Sequence, residues 1–379
     1  MARYKLSEIA HSTKGKKPKT LSKEKTIGFA IPYVDIKAFE KGIIDNYTDG
    51  ENCTFCTPDD VLIVWDGARC GFVGRGIEGA IGSTLAKISS EKYTNDFLFY
   101  FLQSKYKVLN SNPRGVGIPH IEPNLLWNFE IPDIDKTTQH QIVSRIESLF
   151  AELDMAVEHL RTAQQQLKIY RQAVLNHWLN NEDGKWETVK LGEICSVLGD
   201  GLHGTPKFVE NGDFYFINGN NLNGAIVIKQ DTKTTNLEEF EKYKKNLNER
   251  TILISINGTL GNIAYYNGEP VVLGKSACYF NLLDGIEKDY VKYCLLSERF
   301  RSYALKNATG STIKNVPLKA MRMYSLPLPP LSEQQRIVKE IETRLSQAEA
   351  AEARIAESLQ KTEALRQSIL KKAFSGELV

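Results

Sequence analysis

TTQHQIVSRIESLF at residues 137–150 lies over SEQQRIVKEIETRL at residues 332–345, and YRQAVLNHW at 170–178 lies over LRQSILKKA at 365–373. Both matches have the same offset, 195 residues, and RGVGIPHI at 114–121 lies over TGSTIKNV at 309–316 with it. The gapless alignment joins residues 115–179 to residues 310–374, so the chain is an internal duplication, and a repeat constrains architecture before any single motif does. Upstream the offset drifts as loops change length. KLSEI at Lys5 answers KLGEI at Lys190, DDVLIVWDG at Asp59 answers ERTILISING at Glu249, and GST at Gly82 answers GKS at Gly274.

The matched stretches carry a helical period. Ile142, Ile146, Leu149, Leu153, Ala156, Leu160, Ala163, Leu167, Tyr170 and Val174 recur at spacings of four and three, a heptad seam that requires a partner helix. Ile337, Ile341, Ala348, Ile355, Leu359, Leu365 and Ile369 form a less regular stripe in the second copy, with alanines that let another backbone approach closely. PLPPL breaks what precedes it, Ser332 with Gln335 reads as a capping box, and Gly376 reads as the stop. Helices are expected at residues 137–180 and 332–376. If they pair antiparallel, the 142–174 stretch at 1.5 Å per residue spans roughly 50 Å. That is on the order of 15 base pairs of duplex, so the pair would act as a ruler.

The intervening stretches read as mixed and rich in strands. VLIVW, ILISI, IAYY and PVVL are short β-branched or aromatic runs bounded by DG, NG and glycine turns, whereas DFLFYFLQ and DYVKYCLL suggest one short helix in each copy. NNEDGK at 180–185 is a polar break into the second copy. The expected fold class is α+β: two mixed, β-rich globular domains at 1–136 and 186–331, separated by a pair of long antiparallel coiled-coil helices, with an internal pseudo-twofold repeat.

A chain of 379 residues exceeds one hydrophobic core, and 42% apolar with 25% charged residues is ordinary for a folded protein. No apolar run approaches the roughly 20 residues a membrane span needs, and MARYKLSEIAHSTKGKKPKT lacks the apolar core of a signal peptide, so a cytoplasmic protein is expected. The net charge of +2 conceals basic stretches. Eight Lys and Arg face two Glu over residues 1–25, residues 299–322 hold six bases and no acid, and Lys105, Lys107 and Arg114 stand among no acids over 99–121. Any one cluster is equally well read as solvated lysines.

Chemistry of catalysis is not evident. Six scattered cysteines suggest reduced thiols; Cys53 and Cys56 have CxxC spacing without a second ligand pair nearby, so burial as small apolar residues is the better reading than zinc. Gly74, Gly76 and Gly79 satisfy GxGxxG, but AIGSTLAKI after them reads as strand or turn, and a turn bringing Arg75 toward a phosphate fits better than a dinucleotide site. No GxxxxGK[ST], GxSxG or HExxH occurs, and no catalytic group is repeated in both copies, so no catalytic residue and no metal ligand is assigned.

Loops of small polar residues among basic ones recur instead. In the first copy they offer Lys14, Lys16, Lys17, Lys19, Arg69, Arg75, Arg114 and His120. In the second they offer His203, Thr205, Lys207, Asn257, Thr259, Asn262, Lys275, Ser311, Thr312, Lys314 and Asn315. Such side chains donate to phosphate oxygens and read base edges, while glycine lets backbone N–H groups come close. Plain turn chemistry accounts for any one loop, and recurrence in both copies is the argument for double-stranded DNA as the ligand. The helix-pair interface is assigned to Ile142, Ile146, Leu149, Leu153, Leu160, Leu167 and Val174 with Ile337, Ile341, Ile355, Leu359 and Ile369.

These residues resemble the specificity subunit of type I DNA restriction-modification enzymes. LPLPPLSEQQRIVKEIE at Leu326 with LRQSILKKAFSGELV at Leu365 resembles that family's distal conserved region, and IPDIDKTTQHQIVSRIE at Ile131 resembles its central one. DGLHGTPKF and ISINGTLGN are similar to stretches of its target-recognition domains. The first copy departs from the pattern in lacking the proline-rich PLPPL and in having no DGLHGTP after KLSEI. The resemblance implies two target-recognition domains reading an asymmetric two-part site, and a non-catalytic role. It implies partners as well: two modification subunits that methylate adenine with S-adenosylmethionine, and restriction subunits using ATP and Mg, none of these cofactors being held by this chain. A free-standing DNA-binding regulator and a coiled-coil scaffold with protein-binding ends are the alternatives the residues leave open.

Overall fold

A computed structural model describes residues 2–115, 117–181 and 183–378; Val116 in the 114–120 loop and Glu182 in the NNEDGK break lie outside them. The chain divides into two compact units. Unit one takes residues 1–161 together with 356–379, and unit two takes 162–355. Each long helix therefore contributes to both units.

In unit one, a four-stranded sheet is ordered His11–Lys14, Leu85–Ser89, Val61–Val64, Val73–Arg75, and beside it Ile31–Val34 pairs in parallel with Gly79–Ile81. Every residue of Val61–Val64 is buried. Successive side chains of a strand point to opposite faces, and here Val61 and Ile63 enter one apolar cluster while Leu62 and Val64 enter another. An unbroken apolar run is what a strand covered on both faces requires.

Unit two repeats the design. Thr251–Ser255 is again wholly buried, with Ile252 and Ile254 in one cluster and Leu253 in another. Its neighbours Cys195–Asp200, Ala277–Leu282 and Ile263–Tyr265 take the places of the strands flanking Val61–Val64, and Phe214–Ile217 pairs in parallel with Val271–Leu273. A short two-stranded ribbon closes each unit, Arg3–Lys5 with Glu130–Pro132 and Glu187–Lys190 with Ser325–Leu328. A buried tyrosine ties down each ribbon: the Tyr93 hydroxyl donates to the Pro132 carbonyl at 2.7 Å and that of Tyr290 to the Pro327 carbonyl at 2.8 Å.

The stretch expected as one short helix in each copy is longer. Asn95–Ser111 is a single helix begun by Thr94, whose hydroxyl accepts from the Phe97 N–H. In unit two, Lys288–Leu296 is followed by Glu298–Asn307, because extended Ser297 ends the first and caps the second through Phe300 N–H.

The long helices are Lys136–Leu179 and Leu331–Ser375, within one residue of expectation, and Gly376 ends the second in the left-handed region with φ 87°. The capping box at Ser332 is corrected: the helix starts at Leu331, and the Pro330 carbonyl accepts from the N–H groups of Glu333 and Gln334. The seam is corrected too. Ile142, Ile146, Val174, Ile337, Ile341 and Ala348 are buried, but Leu149, Leu153, Leu160, Leu167, Ile355, Leu359 and Ile369 are only partly covered, while Ala156, Tyr170 and Leu365 are exposed. Burial concentrates where each helix meets a sheet domain, with Val143, Phe150, Leu175, Val338 and Leu370 adding to it.

Unit one is completed from the far end of the chain. Phe374 sits edge-on to Phe97 and Phe101, with ring centroids 5.2 and 5.3 Å away, and Leu370 and Ala373 are buried in the same cluster. Within unit two, Arg171 grips Glu352, and Arg336 and Arg344 lie over the Trp178 ring.

Candidate nucleic-acid interface

Three segments far apart in unit one meet at Asp66. The strand Val61–Val64 runs into the Asp66-Gly67 turn, where the Gly67 N–H donates to the Pro119 carbonyl and Asp66 bridges to His120. The Asp66 carboxylate then accepts from Lys14 Nζ at 2.8 Å and lies 2.6 Å from His120 Nδ1. Lys14 comes from the end of strand His11–Lys14, and His120 is bridged to Arg114. The aspartate is largely covered and the lysine and histidine side chains are about half exposed, so two donors stand on a shielded anion.

Unit two assembles the equivalent segments with different chemistry. Thr251–Ser255 runs into the Asn257-Gly258 turn, the Gly258 N–H donates to the Lys314 carbonyl, and Asn257 bridges to Asn315. Asn257 Nδ2 donates to Asn315 Oδ1 at 3.2 Å. Asp200 at the end of strand Cys195–Asp200 lies 2.6 Å from His203 Nε2. Asp200, His203, Asn257, Lys275 and Asn315 line one open cavity of about 380 Å³.

The strand registers make the equivalence explicit. Lys14 stands opposite Ala86 and Asp200 opposite Cys278, the matching positions of the two central strands. The next residues, Gly15 and Gly201, are both packed where a Cβ would strike carbonyl oxygens, those of Ile81 and Gly82 in unit one and of Leu273 and Gly274 in unit two. Residue-by-residue, Lys14, Asp66 and His120 occupy the places of Asp200, Asn257 and Asn315. Asp66 and Asp200 were missed from sequence, because an acid in a basic loop looks like dilution until its donors are seen.

The remaining candidates separate by environment. Lys16, Lys17, Lys19, Thr205, Lys207, Thr259, Lys275, Ser311, Thr312, Lys314 and Arg114 are exposed. Pro18 and Pro206 are both buried just ahead of Lys19 and Lys207, so GKKPK and GLHGTPK are more alike in structure than in letters. Asn262 is drawn inward, its Nδ2 donating to the Gly219 carbonyl at 3.3 Å. Two further candidates meet acids: exposed Arg69 pairs with Glu40 at 2.8 Å over the Phe72 ring, and partly exposed Arg75 pairs with Asp96 over the Phe99 ring. Lys105 in the third basic stretch lies over the Phe101 and Phe129 rings, where burial, with Arg3 nearby, pulls its pKa down.

Gly74, Gly76 and Gly79 flank a strand-turn-strand with no helix after it: Val73–Arg75 leads to Gly79–Ile81. A Cβ at Gly76 would fall 2.0 Å from the Thr57 carbonyl oxygen, and one at Gly74 would meet the Phe39 ring, so close packing explains these glycines. The buried Cys56 thiol donates to the Ile77 carbonyl, burial pushing its pKa up. Among the described residues no group of three or more His, Cys, Asp or Glu is gathered as for a metal, and no helix is long and apolar enough to cross a membrane.

Comparison with known proteins follows the same division. The family described as the type I restriction modification DNA specificity domain matches twice, at residues 1–160 and 183–361. The MjaVIII specificity subunit of a type I restriction enzyme from Methanocaldococcus jannaschii is 25% identical over 365 residues, covering 89% of this chain and 84% of its own. The StySPI specificity subunit of Salmonella potsdam is 26% identical over 361 residues, covering 85% and 75%. Among solved structures, the HsdS subunit from Thermoanaerobacter tengcongensis superposes with a TM-score of 0.59 at 21% identity, covering 99% of this chain and 97% of that one. A chain from a study of complex assembly and conformational transition in a type I R-M system superposes with a TM-score of 0.68, also at 21% identity, covering 99% and 98%.

Proposed function

Because the chain belongs to the type I restriction modification DNA specificity family, with two such domains in an α+β fold, we propose that it is the non-catalytic subunit that selects the DNA sequence for a restriction-modification complex. The observation that carries this reading is the double match itself: two domains of one design whose loops converge on different side chains. One design with two reading surfaces suits a two-part, asymmetric site.

In this reading residues 1–136 and 186–331 are the two target-recognition domains, and the helices at 137–180 and 332–376 form an antiparallel coiled coil that relates them by a pseudo-twofold and sets the gap between half-sites. Support comes from contacts inside each unit. Arg366 pairs with Asp154 in unit one, and in unit two Arg171 meets Glu349 and Glu352 while Trp178 meets Arg336 and Arg344, so numbers on one helix fall as those on the other rise. The exposed donors Lys16, Lys17, Lys19, Arg114, Lys207, Lys275 and Lys314 would meet phosphates. Two adenine-methylating modification subunits, using S-adenosylmethionine, would sit on the helices, with ATP- and Mg-dependent restriction subunits beyond them. The complex would work in the cytoplasm.

The test is to express the chain with its modification subunits and sequence methylated adenines. A bipartite asymmetric motif with a fixed gap is expected. Loss of binding as salt rises is expected too, since neutralising phosphates releases counterions. Salt-independent association, or methylation without a motif, would refute the reading.

A further inference from the structure

The geometry points to Lys14, Asp66 and His120 in unit one, and to Asp200, Asn257 and Asn315 in unit two, as matched base-reading triplets. In this assignment they fix the base demanded at one position of each half-site, guanine for the first and adenine for the second. The assignment rests on the reading that the chain selects a DNA sequence, and goes beyond it by naming which residues choose and what they choose.

The backbone at these places is held alike in both units. The turn glycine donates to the residue before the third position, Gly67 to Pro119 and Gly258 to Lys314, and the second and third positions form a bridge in each. The first position ends the edge strand at the same register. A fold that keeps three positions in place while exchanging their chemistry separates framework from choice.

The chemistry then assigns the bases. In unit one a single carboxylate orients both partners: Lys14 gives one of its three N–H groups to Asp66, and His120 Nδ1 faces the other carboxylate oxygen. The remaining ammonium protons match the O6 and N7 acceptors that guanine alone presents together in the major groove. In unit two, the bond from Asn257 Nδ2 to Asn315 Oδ1 leaves Asn257 Oδ1 and Asn315 Nδ2 as an acceptor and a donor outside it. Adenine offers the complementary pair, a donor at N6 and an acceptor at N7. Asp200 with His203 borders the same cavity, so an acid stands in the second surface at the position that Lys14 holds in the first.

The experiment transplants the second triplet into the first: Lys14→Asp, Asp66→Asn and His120→Asn together, in the full chain bound to its modification subunits. The readout is the methylated motif. One guanine of one half-site should become adenine, with the other half-site and the gap unchanged. An unchanged motif, or a change in both half-sites, overturns the assignment. If the triple variant loses its modification subunits or its melting transition, Lys14→Met and His120→Asn are read singly, and retention of the parent motif by both overturns it. A parent complex that yields no bipartite motif would instead defeat the reading beneath it.

Discussion

Gln139 and Gln334 start their two helices with the same pair of bonds. Gln139 accepts the Thr94 N–H at 2.9 Å and donates to the Ile134 carbonyl; Gln334 accepts the Glu287 N–H at 2.8 Å and donates to the Pro329 carbonyl. Both side chains are buried, so their amides replace water for backbone groups that would otherwise be unsatisfied. Gln139→Leu or Gln334→Leu should therefore destabilise its own unit by about 1–3 kcal/mol, read from denaturant melts. A melt unchanged by either substitution would show that those backbone groups find other partners.

The uneven burial of the long helices ranks their side chains. Ile146→Ala and Ile341→Ala, at fully buried sites, should each lose about 2–5 kcal/mol, whereas Leu160→Ala at a half-covered site should lose about 1 kcal/mol or less. Equal losses at all three would mean that the middle of the seam is as tightly packed as its ends.

Arg171 and Glu352 make a two-pronged pair, 3.2 and 3.0 Å, on partly exposed side chains. Exposure limits its worth. A double-mutant cycle with Arg171→Ala and Glu352→Ala should give a coupling of about 1 kcal/mol or less that shrinks in high salt. A larger, salt-insensitive coupling would contradict this.

Asp289 accepts from Tyr265 at 2.6 Å and from Lys292. Burial alone would raise its pKa, but those two donors outweigh it and hold the carboxyl below its ordinary 3.8. A depressed folded-state pKa gives stability that is present above the unfolded value and lost as pH falls through the folded one. Asp289→Asn should thus destabilise unit two at neutral pH, and its difference from the parent should narrow below about pH 4. A constant difference down to pH 2 would speak against the ionised pair.

Removing seven residues, two helical turns, from each long helix should shorten the gap between methylated half-sites. At 1.5 Å per residue the change is about 10 Å, on the order of three base pairs. Motif mapping that returned the parent gap would remove the helices as its ruler.

Periodicity made the helices legible to within a residue, and VLIVW and ILISI were legible as strands from their β-branched runs, while their coverage on both faces emerges only in the fold. What stayed hidden was partnership. Nothing local in the sequence joins Lys14 to Asp66, or distinguishes exposed Arg114 from Arg75, whose counter-ion Asp96 lies on another element. The heptad seam overstated burial at Tyr170 and Leu365 for a related reason: spacing reports which residues share a face, not where along the helix that face is covered.

Phe374, wedged between Phe97 and Phe101, sets an order of events during synthesis. A ribosome that has finished residues 1–161 has yet to make the segment that fills the first core, and unit two will have emerged in full before that segment arrives. The apolar cluster of unit one is therefore completed last, by residues made only after all of unit two.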